Sequence, residues 1–220
     1  LFSEQEFENR PLFTPPEILR ANLAEVILRM ISLKLGDISD FPFIDRPASK
    51  SIQDGFDLLY ELGAIDPKSD KIISKGKGRF SLTKKGELMA KMPVDPRISR
   101  MLIEAQTQGC LEEIIVVAAA LSIQDPRERP TEKAREADQI HKAFYDPSSE
   151  FITLLNSWQK YHRSRQKEKT TGSLKKFCKN HYLSFKRMRE WCDIHAQISE
   201  VLREYVMDDI KNQAKDAGIV

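Results

Sequence analysis

The chain is poor in the features that give small proteins a covalent framework or a reaction centre. Its 220 residues hold three cysteines, Cys110, Cys178 and Cys192. They are too few and too scattered for a disulfide framework or a zinc site, so the expected setting is a reducing, cytoplasmic one. Each sits in an apolar helical pattern, which fits a small buried hydrophobe better than a reactive thiol. Long apolar runs are missing too. Ile114 to Leu121, among the longest, is far too short to cross a bilayer, so no membrane partner is expected. The opening Leu1-Phe2-Ser3-Glu4 has no basic flank and no initiator Met, as in a segment excised from a longer chain rather than a signal peptide. No GxxxxGK[ST] phosphate loop occurs, and Gly76-Lys77-Gly78-Arg79 lacks its spacing. There is no HExxH, and the histidines (His141, His162, His181, His195) are dispersed. Asp138 and His141, at i, i+3 spacing, read as an exposed or capping pair rather than a catalytic dyad. By itself the chain therefore reads as a non-enzyme, with no catalytic residues, metal site, cofactor or small-molecule substrate of its own.

What is abundant is charge, unevenly spread. Lys160 to Arg189 contains eleven basic residues (Lys160, Arg163, Arg165, Lys167, Lys169, Lys175, Lys176, Lys179, Lys186, Arg187, Arg189) against one acid, Glu168. That segment is net +10, so the rest of a chain of net +2 is −8. A cluster this dense suits a polyanion, RNA or DNA first, although a solvated helix face with a basic loop has the same composition.

Hydrophobic periodicity predicts a mainly α protein with one small β element. Thr14 is a plausible cap, with Pro15 and Pro16 in the first turn of a helix carrying Leu19, Leu23, Val26, Ile27, Met30, Ile31 and Leu33 and ended by Gly36. Ser49 can cap a second helix facing inward through Ile52, Phe56, Leu58, Leu59 and Leu62 and stopped by Gly63. Two β-like pieces, Lys71–Ile73 and Arg79–Leu82, flank a turn, and Thr83 caps another helix. Helix, helix, hairpin and helix outline a winged helix. After Met92-Pro93 the β signals stop. Pro96 opens a helix that Gly109 closes, and Leu111–Ser122 is apolar all round, as in the middle of a bundle. A polar loop, Gln124–Pro130, leads to a helix from about Thr131 to Phe144. Asp146-Pro147-Ser148 is a break and cap before a helix with Phe151, Leu154, Leu155 and Trp158. Ser164–Ser173 reads as a mobile loop. A helix then resumes at Leu174, breaks near His181, and gives way from Ser184 to a long one with the stripe Met188, Trp191, His195, Ile198, Leu202 and Tyr205.

Three regions are candidates for nucleic acid. The first is the basic cluster, chiefly Lys186, Arg187 and Arg189 at the start of the last helix, where backbone amides add to side-chain charge, with Lys176 and Lys179 as secondary candidates. The second is the loop bearing Arg127 and Arg129, unless these pair with Glu128 or Glu132. The third is the wing, with Lys71, Lys75, Lys77 and Arg79. The second helix, with acids at Asp54, Asp57 and Glu61, is poor material for a DNA major groove, so the winged helix reads as a packing module.

Many residues in order carry a family resemblance over essentially the whole chain: Arg10-Pro11, Phe13-Thr14 and Pro16-Glu17-Ile18; Leu35-Gly36-Asp37-Ile38; Phe41-Pro42-Phe43-Ile44-Asp45; Leu58-Leu59; Leu82-Thr83 and Gly86; Pro93-Val94-Asp95-Pro96-Arg97; Ala120 through Pro130; and Arg189-Glu190-Trp191 with Asp193-Ile194. The chain resembles the region that follows the second RecA-like domain in DEAH-box RNA helicases, especially the bacterial HrpA type. The resemblance implies residues 1–15 as the exit from that RecA-like domain, 16–92 as a degenerate winged helix, and 93–220 as a ratchet-like helical bundle of the HA2 type. It further implies a parent that moves 3′-to-5′ along single-stranded RNA, with ATP and Mg²⁺ held in RecA-like domains upstream. The fragment would line the RNA channel and couple it to those domains. His181 and His195 stand where many relatives carry Asn and Arg, and Lys186 where they often have Arg. The competing expectations are a protein-interaction scaffold and a winged-helix DNA-binding regulator.

Overall fold

In the computed structural model, described for residues 3, 5, 13, 14, 16–20, 22–67, 80–167 and 170–216 (backbone alone from 206), the protein is mainly helical. Two compact units divide it, Leu1–Ala90 and Lys91–Val220.

In the first unit the long N-terminal helix expected from periodicity is split. Glu17–Leu19 form one 3₁₀ turn, and helix α1 spans Ala24–Ser32. Asn22 Oδ1 accepts the Ala24 N–H at 2.8 Å, so the side chain that starts the α-helix is Asn22 and not Thr14. Helix α2, Ser49–Glu61, begins one residue earlier than expected: Ser49 is its first helical residue and Ala48 its uncapped N-cap. Past its end Gly63 takes φ +68°, and the Ala64 N–H reaches back to Leu59 O at 2.9 Å, a left-handed stop that glycine makes without strain. The hairpin pairs β1, Ile65–Pro67, with β2, Phe80–Leu82, antiparallel, Ile65 opposite Leu82. β1 is a strand the sequence did not advertise, since Asp and Pro are poor strand formers and Pro67 lacks a donor. The expected strand Lys71–Ile73 and the wing lysines lie outside the described residues. Phe56 stacks on Phe80 at 4.5 Å, joining α2 to the hairpin over a core of Leu23, Ile27, Leu28, Leu59, Leu88 and Met89. Thr83 caps α3, Lys84–Lys91, by accepting the Gly86 N–H at 3.0 Å while its hydroxyl donates to Gly63 O at 2.7 Å.

The second unit is a helical bundle. Asp95 accepts the Arg97 N–H at 2.8 Å to start α4, Pro96–Gln108, and Gly109 at φ +71° ends it. α5, Leu111–Leu121, is buried without a break from Ile115 to Ala120 because three helices surround it: α4, then α7 (Glu150–Lys167) and α9 (Phe185–Asp216). A 3₁₀ turn, Thr131–Lys133, precedes α6, Ala134–His141. The stretch read as a loop over 164–173 is largely helix: α7 runs to Lys167 and α8, Thr171–Asn180, starts with Thr170 accepting the Ser173 N–H. A polar, charged, surface-facing helix has no apolar stripe to announce it, which is why the sequence looked unstructured there. Met188, Trp191, Ile198 and Leu202 are buried as the stripe requires, whereas His195 is half-buried. Cys178 is buried and its thiol pushed up to about 11 by that burial. Cys110 and Cys192 are only half-buried, Cys110 because it is the N-cap residue of α5 rather than part of a helix.

Trp158 lies between two histidines, with ring centroids 4.1 Å from His162 and 4.7 Å from His195. Burial lowers the pKa of both, and the positive charges of Arg165 and His195 lower His162 further. A histidine that stays neutral when folded but takes up a proton near pH 6.5 when unfolded contributes stability that is constant above that pH and declines below it. The melting temperature should therefore hold between pH 8 and 7 and fall from about pH 6.5 downward. Thermal melts in which the double variant His162→Gln/His195→Gln declined as steeply as the wild type would refute this origin.

Candidate nucleic-acid interface

The basic residues sort into two kinds. One kind is consumed by the fold. The 124–130 loop is pinned to the junction between α8 and α9: Arg127 forms an antiparallel bridge with Leu183, the Glu128 N–H donates to Tyr182 O at 2.8 Å, and the Ser184 N–H to Pro126 O at 2.7 Å. Tyr182 stands in the left-handed region, φ +50°, and its carbonyl also lies 3.1 Å from His141 Nε2. Arg127 grips Asp125 through Nε and Nη2 and reaches Glu150 Oε1 at 2.7 Å. Arg129 grips Asp138 in a fork of 2.7 and 2.8 Å. Neither pairs with Glu128 or Glu132, the acids that sequence proximity suggested. Asp125 loses solvation by burial, which raises its pKa, but hydrogen bonds from Arg127 outweigh this and hold it below its ordinary value. The Asp138 carboxyl is likewise lowered by the Arg129 hydrogen bond. Arg187 turns to the same loop, donating from Nη1 to Asp125 O at 2.8 Å and from Nη2 to Gln124 Oε1 at 2.5 Å. Lys160 lies 4.9 Å above the Phe144 ring.

The other kind is exposed. Lys176, Lys179, Lys186 and Arg189 all face solvent, and none forms a salt bridge among the described residues. Lys179 borders a groove of 560 Å³ with Lys133, Lys175 and Tyr182, and Lys186 and Arg189 border a second of 600 Å³. Lys175 and Phe185 line both grooves, and the Lys175 ammonium sits 5.6 Å from the centre of the Phe185 ring. The acids present, Glu128 and Glu136 in the first groove and Glu190 and Asp193 in the second, leave the two ends of the α8–α9 junction cationic. This junction is what the sequence could not display: its walls come from residues 128–136 and 175–197, far apart in the chain.

His181 is turned inward, its Nδ1 2.9 Å from Phe177 O and its ring stacked on Phe177 at 4.0 Å. In the first unit, α2 exposes Asp54, Asp57 and Glu61, and Asp57 accepts a hydrogen bond from Gln53, so its free face is acidic. Among the described residues no group of three or more His, Cys, Asp or Glu is placed to hold a metal, and no helix is long and apolar enough to cross a membrane.

Residues 95–184 match the helicase associated domain (HA2), ratchet-like. Over 204 residues, 93% of this chain, the sequence is 46% identical to the ATP-dependent RNA helicase HrpA of Escherichia coli (strain K12) and equally identical to an HrpA homolog of Haemophilus influenzae. It is 30% identical over 201 residues, 91% of the chain, to the ATP-dependent RNA helicase DHX33 of Mus musculus. The chain spans 15% of the length of the first two proteins and 27% of the third.

Proposed function

We propose that this chain, which belongs to the DEAH-box RNA helicase family of the HrpA type, is the non-catalytic accessory region that holds single-stranded RNA by its backbone and couples that grip to the motor. The supporting observation is the set of exposed cations on α8 and the start of α9 that form no salt bridge among the described residues: Lys176, Lys179 bordering one groove, and Lys186 and Arg189 bordering the other. Point charges of this kind bind phosphates without reading sequence. The backbone amides at the start of α9 add a fixed partial positive charge beside Lys186 and Arg189. The acidic free face of α2 favours RNA held by the bundle over DNA read by the winged helix. In this reading residues 16–92 are the winged helix, a packing module, and residues 93–220 are the bundle. The ATP and Mg²⁺ of the longer protein belong to its RecA-like domains, which are this region's covalent partners.

Arg127, Arg129 and Arg187 take a supporting part: they tie the 124–130 loop to the start of α7, to α6 and to α9 in turn, and so keep the wall of the first groove in place. Fluorescence anisotropy with labelled single-stranded RNA, titrated at several salt concentrations, separates the two kinds of residue. The wild-type chain should bind with an affinity that falls steeply with salt. Lys186→Ala/Arg189→Ala should bind roughly tenfold more weakly, with a log–log salt slope shallower by about 1.4, the value for two lost phosphate contacts on a single strand. Arg127→Ala should lower the melting temperature with a smaller change in that slope. Absence of binding by the wild type at low salt would defeat the proposal and leave the basic segment for an acidic protein partner.

A further inference from the structure

The two grooves meet at one aromatic ring. Phe185 is half-buried and lines both the 560 Å³ and the 600 Å³ groove. Each groove carries cations beyond it, Lys133 and Lys179 on one side and Lys186 and Arg189 on the other. Lys175 covers the ring from 5.6 Å, a cation held by the face of an aromatic and free to swing to a phosphate. An aromatic ring between two phosphate-binding flanks is the arrangement that sequence-tolerant single-strand binders use: the backbone is held on either side, and a base lies on the ring.

We propose that Phe185 is a stacking platform for one base of the bound single strand, with the phosphates on either side of that nucleotide held by Lys179 and by Lys186 and Arg189. This rests on the reading of the junction as an RNA-backbone site and adds to it a subsite for the base. Lys175 leaves the ring for a phosphate when the base arrives, so its charge is kept in the complex. Because every base has a flat π face, the platform discriminates nucleotide from abasic backbone and not one base from another.

The test is a thermodynamic cycle on the full 220-residue chain. Wild type, Phe185→Leu and Phe185→Tyr are titrated with an oligouridylate and with an oligomer of equal length whose central nucleotides are abasic, at one low salt concentration and across a salt series. Phe185→Leu keeps apolar bulk and removes the ring, and Phe185→Tyr keeps the ring. The oligouridylate should bind Phe185→Leu about tenfold more weakly than wild type and bind Phe185→Tyr like wild type. The abasic oligomer should bind all three alike, and all salt slopes should coincide. A loss in Phe185→Leu that is equal for both oligomers marks a packing role and overturns the stacking platform, as does no loss at all with a steep salt slope retained. Those two results leave the backbone reading intact. Wild type that binds neither oligomer at low salt overturns the backbone reading, and the platform falls with it.

Discussion

Alanine at Gly86 should destabilise the first unit by about 3 kcal/mol, the largest effect expected of any single methyl group in that unit. A Cβ there would stand 1.9 Å from Ala64 O and 2.8 Å from Ala64 C. These are backbone atoms, and they are anchored: the Ala64 N–H is bonded to Leu59 O, and Ala64 O accepts the Thr83 N–H at 3.0 Å. The helix cannot retreat cheaply, because Thr83, its cap, donates to Gly63 O in the same turn. Alanine's better helix propensity returns less than about 1 kcal/mol. Gly172 supplies the contrast. It lies in the first turn of α8, and an added Cβ would have only Thr170 Oγ1 near it, at 3.9 Å. Gly172→Ala should therefore stabilise, by about 0.5 kcal/mol. Urea unfolding followed by far-ultraviolet circular dichroism measures both. The only tryptophans are Trp158 and Trp191, so their fluorescence gives a separate record of the second unit. A Gly86→Ala protein with the wild-type midpoint would mean that α3 docks differently from the geometry described.

Trp191→Ala should cost the bundle about 3–5 kcal/mol, the range for deleting a large buried aromatic. Trp191 is 0% exposed, its indole N–H donates to Val116 O at 2.9 Å, and its ring lies 5.1 Å from that of Trp158. It thus joins α9 to α5 and α7 through one side chain. Trp191→Phe separates the contributions: it keeps most of the packing and removes the hydrogen bond, for about 1–2 kcal/mol. The order wild type, Phe, Ala in urea midpoint, read by circular dichroism, is the expected result. An alanine variant within about 1 kcal/mol of wild type would show that the site collapses around the loss.

Where neighbours in sequence are also partners in space, the fold could be read directly. Asp95-Pro96 and Gly109 bound α4, Gly63 stops α2, and the unbroken apolar run of α5 is buried as its composition demands. The misses have common causes. Asn22 competes with Thr14 as a cap, and two short structures replace one long helix. Charged helices α7 and α8 carry too little apolar pattern between 164 and 173 to be told from a loop. At the candidate site the count of charges marked a segment, but not which of its members are free of partners in the fold. Arg127 is held by Asp125, two residues before it, and by Glu150, 23 residues on, and Arg129 is held by Asp138, 9 residues on. No local pattern selects those acids over Glu128 or Glu132. Phe185 carries no sequence signal either; its place between two grooves exists only once α8 turns into α9.

The bridge between Arg127 and Leu183 joins residues separated by α6, α7 and α8. Bringing such distant segments together costs loop entropy that the hairpin of α4 and α5, whose residues are neighbours, does not. During synthesis the hairpin can pair as soon as it leaves the ribosome, whereas the junction has no second wall until α8 and the first turns of α9 have emerged. The cationic grooves thus belong to the last stage of folding, and a nascent chain halted before Leu183 carries most of the positive charge without the surface that arranges it.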